Sequence, residues 1–140
     1  MKKILFVASE AVPFVKTGGL ADVVGSLPKY FNKDEYDVRV VIPKYLSMPW
    51  YYTERLEFIA YFYMDIGRRN KYVGVFKLVE NGVTFYFIDN EAYFGGDKPY
   101  SGNITFDLEK FTYFSRAALC ILPVVGFKPD IIHCHDWQTG

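Results

Sequence analysis

Apolar residues in the first third of the chain form two runs separated by an amphipathic stretch. Residues 4–8 are an unbroken apolar run, and residues 38–42 are apolar apart from Arg39. Such runs are typical of strands buried on both faces of a parallel sheet. Residues 20–31 carry apolar side chains at helical spacing, with Pro28 weakening the last turn. This order predicts a right-handed βαβ unit.

The middle of the chain is rich in residues that favour strands. Residues 57–66, 72–79 and 83–88 are each extended in character. Asn81-Gly82 stands directly before the third stretch, and both residues tolerate positive φ, so the pair predicts a tight hairpin.

The last third predicts a glycine-rich loop over residues 90–105, a helix over 107–122 and another buried strand over 130–134. Asp107 is the expected cap of the helix. The expected buried side of the helix consists of Phe111, Phe114, Ala118, Leu119 and Leu122. The predicted fold class is therefore α/β, a Rossmann-like open twisted, mostly parallel sheet with an antiparallel hairpin.

Composition narrows the class of protein. The chain of 140 residues is 51% hydrophobic and 23% charged, which excludes disorder and suits one domain. Its 16 basic and 16 acidic residues balance, so we expect no nucleic-acid partner. No apolar run is long enough for a membrane span, and residues 4–8 are too short for a signal peptide. We therefore expect a cytoplasmic protein in which Cys120 and Cys134 are reduced core thiols.

A glycine loop lies between the first strand and the first helix. Gly18 and Gly19 permit close backbone approach, the following helix N-terminus offers N–H donors, and Lys16 supplies positive charge. The spacing matches neither the dinucleotide fingerprint nor the P-loop. These local features alone do not decide whether the loop is an anion-binding site or a plain solvated loop.

These residues also carry a family resemblance. The chain resembles the start of bacterial glycogen synthases and plant starch synthases across essentially its whole length. The matching blocks are Ser9-Glu10, Pro13, Lys16 to Val23, Gly25, Leu27-Pro28, Val41 to Pro43, Gly82 to Asp89, Phe114 to Ala118 and Pro129 to Trp137.

The resemblance implies a retaining hexosyltransferase of the GT-B arrangement, in which two Rossmann-like domains face a cleft. Such an enzyme transfers glucose from a nucleotide sugar, usually ADP-glucose, to an α-1,4-glucan such as glycogen. It needs no metal or other cofactor. Residues 1–140 correspond to the amino-terminal part of the catalytic domain, about a third of a full enzyme. The carboxyl-terminal nucleotide-binding domain is absent from this chain, so we expect the fragment alone to be inactive.

The resemblance also assigns roles to individual residues. Lys16 matches the lysine that reaches the donor phosphates, and Gly18 and Gly19 match the backbone that the diphosphate approaches. Tyr100 and Asp136 match cleft residues that bind sugar, with Asp136 and Lys16 as the catalytic candidates. Asp22 is either a substrate contact or a partner of the helix dipole.

The segment from His133 to Asp136 offers a further set of polar groups. His133 and His135 would share one face of a strand, but two histidines without a third ligand make a weak metal site. We expect no metal, core packing for His133, and a sugar- or acceptor-binding role in the cleft for His135. Gln138 stands where many family members carry histidine, and Lys110 where they carry arginine.

Exposed aromatic residues offer a separate possibility. Tyr61 and Tyr63 are expected to pack the sheet and its covering loops, although aromatic faces also suit sugar stacking. Residues 50–52, Trp-Tyr-Tyr, leave both roles open.

Three functions remain under consideration. The first is a glucan synthase. The second is another nucleotide-binding α/β enzyme, such as a reductase, although no suitable glycine fingerprint is present. The third is a non-catalytic glucan-binding module.

Overall fold

The computed structural model describes all 140 residues. No helix combines the length and apolar character that crossing a membrane would require. The elements, in chain order, are β1 (Lys2–Val7), α1 (Gly19–Ser26), β2 (Tyr36–Pro43), α2 (Trp50–Thr53), β3 (Glu57–Ile66), β4 (Arg69–Glu80), β5 (Val83–Asp89), α3 (Glu91–Phe94), α4 (Ile104–Cys120), α5 (Leu122–Val125) and β6 (Ile131–Cys134).

The strands form one sheet in the order β3-β4-β5-β2-β1-β6. Strand β1 is parallel to β2 and β6, and β2 is parallel to β5. Strands β3 and β4 are antiparallel to each other, and β4 is antiparallel to β5. The helices and the sheet share one apolar core, in which the central strands β1, β2 and β5 are most deeply buried. The predicted mostly parallel α/β fold is confirmed.

The turn between β4 and β5 confirms the predicted hairpin. Asn81 and Gly82 have φ of 51° and 76°. Positive φ at both central residues gives a turn whose twist matches that of the paired strands.

The predicted helices are present, but their ends differ. Helix α1 stops at Ser26 and continues as the 3₁₀ turn Leu27–Tyr30, where Pro28 removes a backbone donor. Helix α4 begins at Ile104, capped by the side chain of Asn103, which accepts from the N–H of Phe106 at 3.2 Å. The prediction that Asp107 caps this helix is therefore wrong. Asn and Asp cap equally well, and the pattern does not rank them.

Two predictions about burial are also wrong. Strand β6 is exposed along its length because it is an edge strand with β1 as its only neighbour. Cys134 is accordingly exposed and Cys120 half-buried, so neither is a fully buried core thiol, although both are free. On α4, Leu119 is exposed, whereas Phe111, Phe114 and Ala118 are buried as predicted.

The predicted packing of Tyr61 and Tyr63 beneath covering loops is wrong as well. Each tyrosine is 61% exposed, and their ring contacts are with each other and with Tyr72 on the paired strand β4. They lie at the sheet edge formed by β3. In the aromatic segment of α2, Trp50 and Tyr51 are exposed, whereas Tyr52 packs against Phe14.

Candidate active site

The predicted site residues follow two adjacent parallel strands. Val7 at the end of β1 lies opposite Cys134 at the end of β6. The segments after these residues therefore leave the same edge of the sheet, which is where ligands bind in open α/β folds.

Glu10 anchors the glycine loop to the end of β1. Its carboxylate is almost fully buried, at 1% exposure of the residue. It accepts from the backbone N–H of Thr17 at 2.9 Å, from that of Gly18 at 3.2 Å, and from the Thr17 hydroxyl. Hydrogen bonds to a charged acceptor contribute about 1.5–3 kcal/mol each. The loop is therefore held in one conformation before any ligand arrives.

The two glycines of the loop are not required by the fold. Gly18 has φ of −164°, extended backbone that any residue adopts. A Cβ atom at Gly18 or Gly19 would meet nothing within 4 Å, whereas one at Gly25 would collide with Val12. Packing therefore explains Gly25 and leaves open space above Gly18 and Gly19.

The backbone N–H of Gly19 has no protein acceptor. It belongs to the first turn of α1, where the helix dipole favours an anion. The amide of Gly18, by contrast, is already engaged by Glu10. Of the two predicted amide donors, Gly19 is thus the one available to a ligand.

Lys16 lies beside the loop and pairs with Asp22. The Nζ atom is 2.8 Å from Oδ2 of Asp22, and both side chains are about half exposed. An exposed ion pair of this kind is weak, so an incoming anion can compete for the ammonium. Asp22 thus holds the lysine next to the glycines in the absence of a ligand.

The Tyr100 hydroxyl joins three segments of the site. It hydrogen-bonds with the Ser9 hydroxyl at 2.8 Å and accepts from Nε2 of Gln138 at 3.2 Å. Ser9 is itself fixed, because its carbonyl accepts from the Tyr45 hydroxyl at 2.7 Å. Burial raises the pKa of Tyr100, opposed by the Ser9 hydrogen bond and supported by the negative charge of Glu10. Tyr100 is therefore a neutral phenol at physiological pH.

Two buried charges hold the loop that carries Tyr100. Asp107 accepts from the backbone N–H of Ser101 at 3.2 Å, and the Lys110 ammonium donates to the carbonyl of Pro99. Burial lowers the pKa of Lys110, and the nearby Asp107 opposes that effect. Lys110, which replaces the expected arginine, thus ties Pro99 to α4, and Asp107 ties Ser101 to the same helix.

Asp136 has unusual backbone geometry. Its φ is 66° and its ψ is −177°, a region populated almost only by glycine. Its carboxylate is exposed, and Oδ1 accepts from the N–H of Trp137 at 2.8 Å. A strained non-glycine residue after the carboxyl end of a strand is a functional candidate. The negative charge of Asp136 also raises the pKa of Tyr100, as a minor contribution beside burial.

The burial of the two histidines is the reverse of the expectation that His133 packs in the core and His135 faces the cleft. Their rings stack with centroids 4.1 Å apart, which confirms that they share a face. His133 is exposed at the edge strand, whereas His135 is buried against Phe6, and its Nε2 atom has no partner. The expected core packing of His133 is therefore wrong. Burial lowers the pKa of His135 to about 4, with a smaller contribution from His133.

The largest cavity lies outside this cluster. It measures about 670 Å³ between α4 and β6, and includes Gln138 but not Lys16, Gly19, Tyr100 or Asp136. Tyr100 instead borders a smaller cavity of about 380 Å³. Cavity size therefore does not locate the cluster of polar groups.

Several residues of the site could not be assigned from the sequence. The anchoring by Glu10, the contact of Gln138 with Tyr100, and the loop attachment by Lys110 all depend on partners distant along the chain. The one local signal is an acidic residue shortly after a buried strand, because such a charge must find hydrogen-bond donors if it is buried.

Comparison with known proteins identifies the family. The family model described as "Starch synthase catalytic domain" matches residues 3–140. The chain belongs to this family. Its sequence is 66% identical to a glycogen synthase of Lachnospira eligens over 140 residues and 60% identical to one of Lachnoclostridium phytofermentans. These matches confirm the resemblance inferred from the residues.

A solved structure of the starch synthase family has the same fold. The catalytic domain of Starch Synthase IV from Arabidopsis thaliana, bound to ADP and acarbose, matches 99% of this chain with a TM-score of 0.79 and 32% identity. The chain covers 28% of that structure and 29% of each of the two glycogen synthases. It thus spans less than a third of its relatives.

The strain at Asp136 predicts an inverted order of stability. At ordinary positions, alanine is about 0.5–1 kcal/mol more stable than glycine. At Asp136 we expect Asp136→Gly to be more stable than Asp136→Ala by about 1 kcal/mol, because both lose the cap to Trp137 and only glycine relieves the strain. Urea unfolding of both variants measures the difference. An alanine variant that is more stable than the glycine variant by roughly the ordinary 0.5–1 kcal/mol would show that the backbone is unstrained.

Burial of His135 predicts a pH dependence of stability. Between pH 6.5 and about 4 the unfolded chain protonates this histidine and the folded chain does not. Stability due to His135 is thus complete above pH 6.5 and falls as the pH decreases through this window. We expect wild type to lose about 1–2 kcal/mol more than His135→Gln between pH 7.5 and 5.0 in urea unfolding. Parallel losses in the two proteins would contradict the assignment.

Proposed function

We propose that the protein containing this chain is a glycogen synthase. It transfers glucose from ADP-glucose to the non-reducing end of an α-1,4-glucan, with retention and without a metal or other cofactor. The observation that carries the proposal is the 66% identity to a glycogen synthase in an alignment that covers all 140 residues of the chain. The ADP bound to the Arabidopsis relative supports ADP-glucose as the donor.

The glycine loop is suited to the leaving group of this reaction. Breaking the bond between glucose and diphosphate develops negative charge on the departing phosphate. The Lys16 ammonium is paired only with the exposed Asp22, and the N–H of Gly19 has no protein acceptor, so both groups are available to an anion. Both groups interact more strongly as that charge grows, so they stabilise the transition state more than the bound substrate.

The opposite side of the cluster is suited to the sugar. The exposed carboxylate of Asp136 is an acceptor for sugar hydroxyls. The neutral hydroxyl of Tyr100 is fixed between Ser9 and Gln138, at a defined place in the cleft. His135 is less available to a sugar, because its Nε2 atom is buried without a partner and its ring is packed against Phe6.

Residues 1–140 form one wall of the proposed cleft. The chain spans 29% of its glycogen synthase relatives, and we propose that the remainder of the protein supplies most of the nucleotide site. Residues 1–140 alone are then inactive. We also propose a cytoplasmic location, which is consistent with two unpaired cysteines.

The lysine of the loop provides the sharpest kinetic test. In the full-length protein, we expect Lys16→Ala to lower kcat for transfer of labelled glucose from ADP-glucose to glycogen by about 10²–10³-fold, with a smaller effect on KM. Lys29→Ala, which removes an exposed lysine from the following 3₁₀ turn, is the matched control.

Equal rates for Lys16→Ala and the control would remove the lysine from the reaction. A wild-type protein that binds glycogen yet transfers no glucose would replace the synthase proposal with a non-catalytic glucan-binding module.

A further inference from the structure

Gln138 lies on the 3₁₀ turn Trp137–Thr139, which follows β6 and is capped by Asp136. The residue is 6% exposed, and Nε2 of its amide donates to the Tyr100 hydroxyl at 3.2 Å. Tyr100 belongs to a different segment, the loop before α4. One buried amide thus joins the turn that carries Asp136 to the loop that carries Tyr100.

The opposite end of this amide has no partner. Oε1 of Gln138 is buried and accepts no hydrogen bond from the protein. Exchanging the two ends of the amide would leave the same deficit, because Tyr100 contacts only one of them. A buried polar atom without a partner destabilises a protein, so stability does not explain a glutamine at this position.

The surroundings of the amide suit an apolar side chain. Tyr100 and Trp137 both pack against the buried ring of Phe111 on α4, each at a centroid distance of 5.8 Å. Gln138 also borders the cavity between α4 and β6, which Leu119 lines from the helix. Methionine has a similar unbranched shape without the polar end, so it would fill this place with no unpaired atom. The feature that only the amide supplies is its contact with Tyr100.

The contact continues from Tyr100 to the end of β1. The hydroxyls of Tyr100 and Ser9 are 2.8 Å apart, and Ser9 is fully buried. Ser9 is followed by Glu10, which anchors the glycine loop. We call Gln138, Tyr100 and Ser9 the bridge, because their hydrogen bonds connect the segments that follow β6 and β1.

The two ends of the bridge define where the Tyr100 hydroxyl lies. A hydroxyl with one partner can still swing about that contact, whereas partners on two separate segments fix its position. Displacement of a group by about 1 Å in an active site can lower the rate about 100-fold. Loss of the amide would therefore affect the reaction even though Tyr100 keeps its bond to Ser9.

We propose that Gln138 is a positioning residue for glucose transfer, which acts through the Tyr100 hydroxyl. The inference rests on the proposed function, in which Tyr100 lies on the sugar side of the cleft. In this role Gln138 need not touch donor or acceptor, since its side chain is buried. It fixes the Tyr100 hydroxyl and holds the turn of Asp136 in register with the end of β1.

The test measures rate and stability in the same full-length variants. For Gln138→Met, we expect kcat for transfer of labelled glucose from ADP-glucose to glycogen to fall about tenfold, with a smaller change in KM. We expect its Tm to be unchanged or higher, because the unpaired end of the amide is gone and Tyr100 keeps its bond to Ser9. A Tm that falls together with kcat would indicate a merely structural role and would overturn the proposal.

Two further variants control for the substitution. Thr112→Met places the same apolar side chain in the same cavity, from an exposed position on α4 outside the bridge, and should leave kcat unchanged. Gln138→His keeps an N–H donor at a similar reach and should retain most of the wild-type kcat. The proposal would be contradicted by a loss of rate in Thr112→Met equal to that in Gln138→Met, or by a histidine variant as slow as the methionine variant.

A double-mutant cycle tests whether the effect passes through Tyr100. If Gln138 acts on the Tyr100 hydroxyl, Gln138→Met should lower kcat in the wild-type background and have no further effect in the Tyr100→Phe background. An equal loss in both backgrounds would show that Gln138 acts elsewhere, against the proposal.

Failure of this inference is distinguishable from failure of the proposed function. Wild-type protein that transfers no glucose would refute the synthase, and the positioning role with it. Transfer at the same rate by wild type and by Gln138→Met would refute the positioning role alone.

Discussion

The candidate site depends on one buried carboxylate. Glu10 follows the central strand β1, is 1% exposed, and forms no salt bridge. An ionised carboxylate in such a place is strongly destabilising unless hydrogen-bond donors surround it. The donors come from Thr17 and Gly18, so the glycine loop cannot move away without leaving this charge unpaired. The position of Lys16 and Gly19 follows from that constraint.

A second set of contacts fixes the other side of the site. Ser9, the neighbour of Glu10, bonds with the Tyr100 hydroxyl, and Asp107 and Lys110 hold the loop around Tyr100. The phosphate side and the sugar side of the proposed cleft are therefore both attached to consecutive residues at the end of β1. Such preorganisation is what catalysis by electrostatic stabilisation requires, since donors already in place need no reorganisation during the reaction. The strained backbone of Asp136 is a further sign of preorganisation, because the surrounding structure must hold the residue in this conformation.

The sequence predicts elements with strong local signals and misses those that depend on distant partners. The apolar runs of β1 and β2 and the Asn81-Gly82 turn are determined by neighbouring residues, and these predictions are confirmed. The exposure of β6 depends on its place at the sheet edge, which periodicity does not reveal. The start of α4 was misplaced because Asn103 and Asp107 are both good caps. In the site, the residue types were predictable, whereas the anchoring by Glu10 and the burial of His135 arise from tertiary contacts.

Glu10 holds the glycine loop in place, and we expect a diphosphate to bind in the open space beside Gly18 and Gly19. Calorimetric titration of the intact protein with ADP, comparing wild type with Gly19→Ala, tests it most directly. The added methyl group meets no protein atom within 4 Å, so the variant should fold normally, and alanine is the better helix former. The account predicts that ADP binds at least about tenfold more weakly to the variant, at an unchanged or higher Tm. Equal affinity in the two proteins would show that the diphosphate binds elsewhere and would contradict the account.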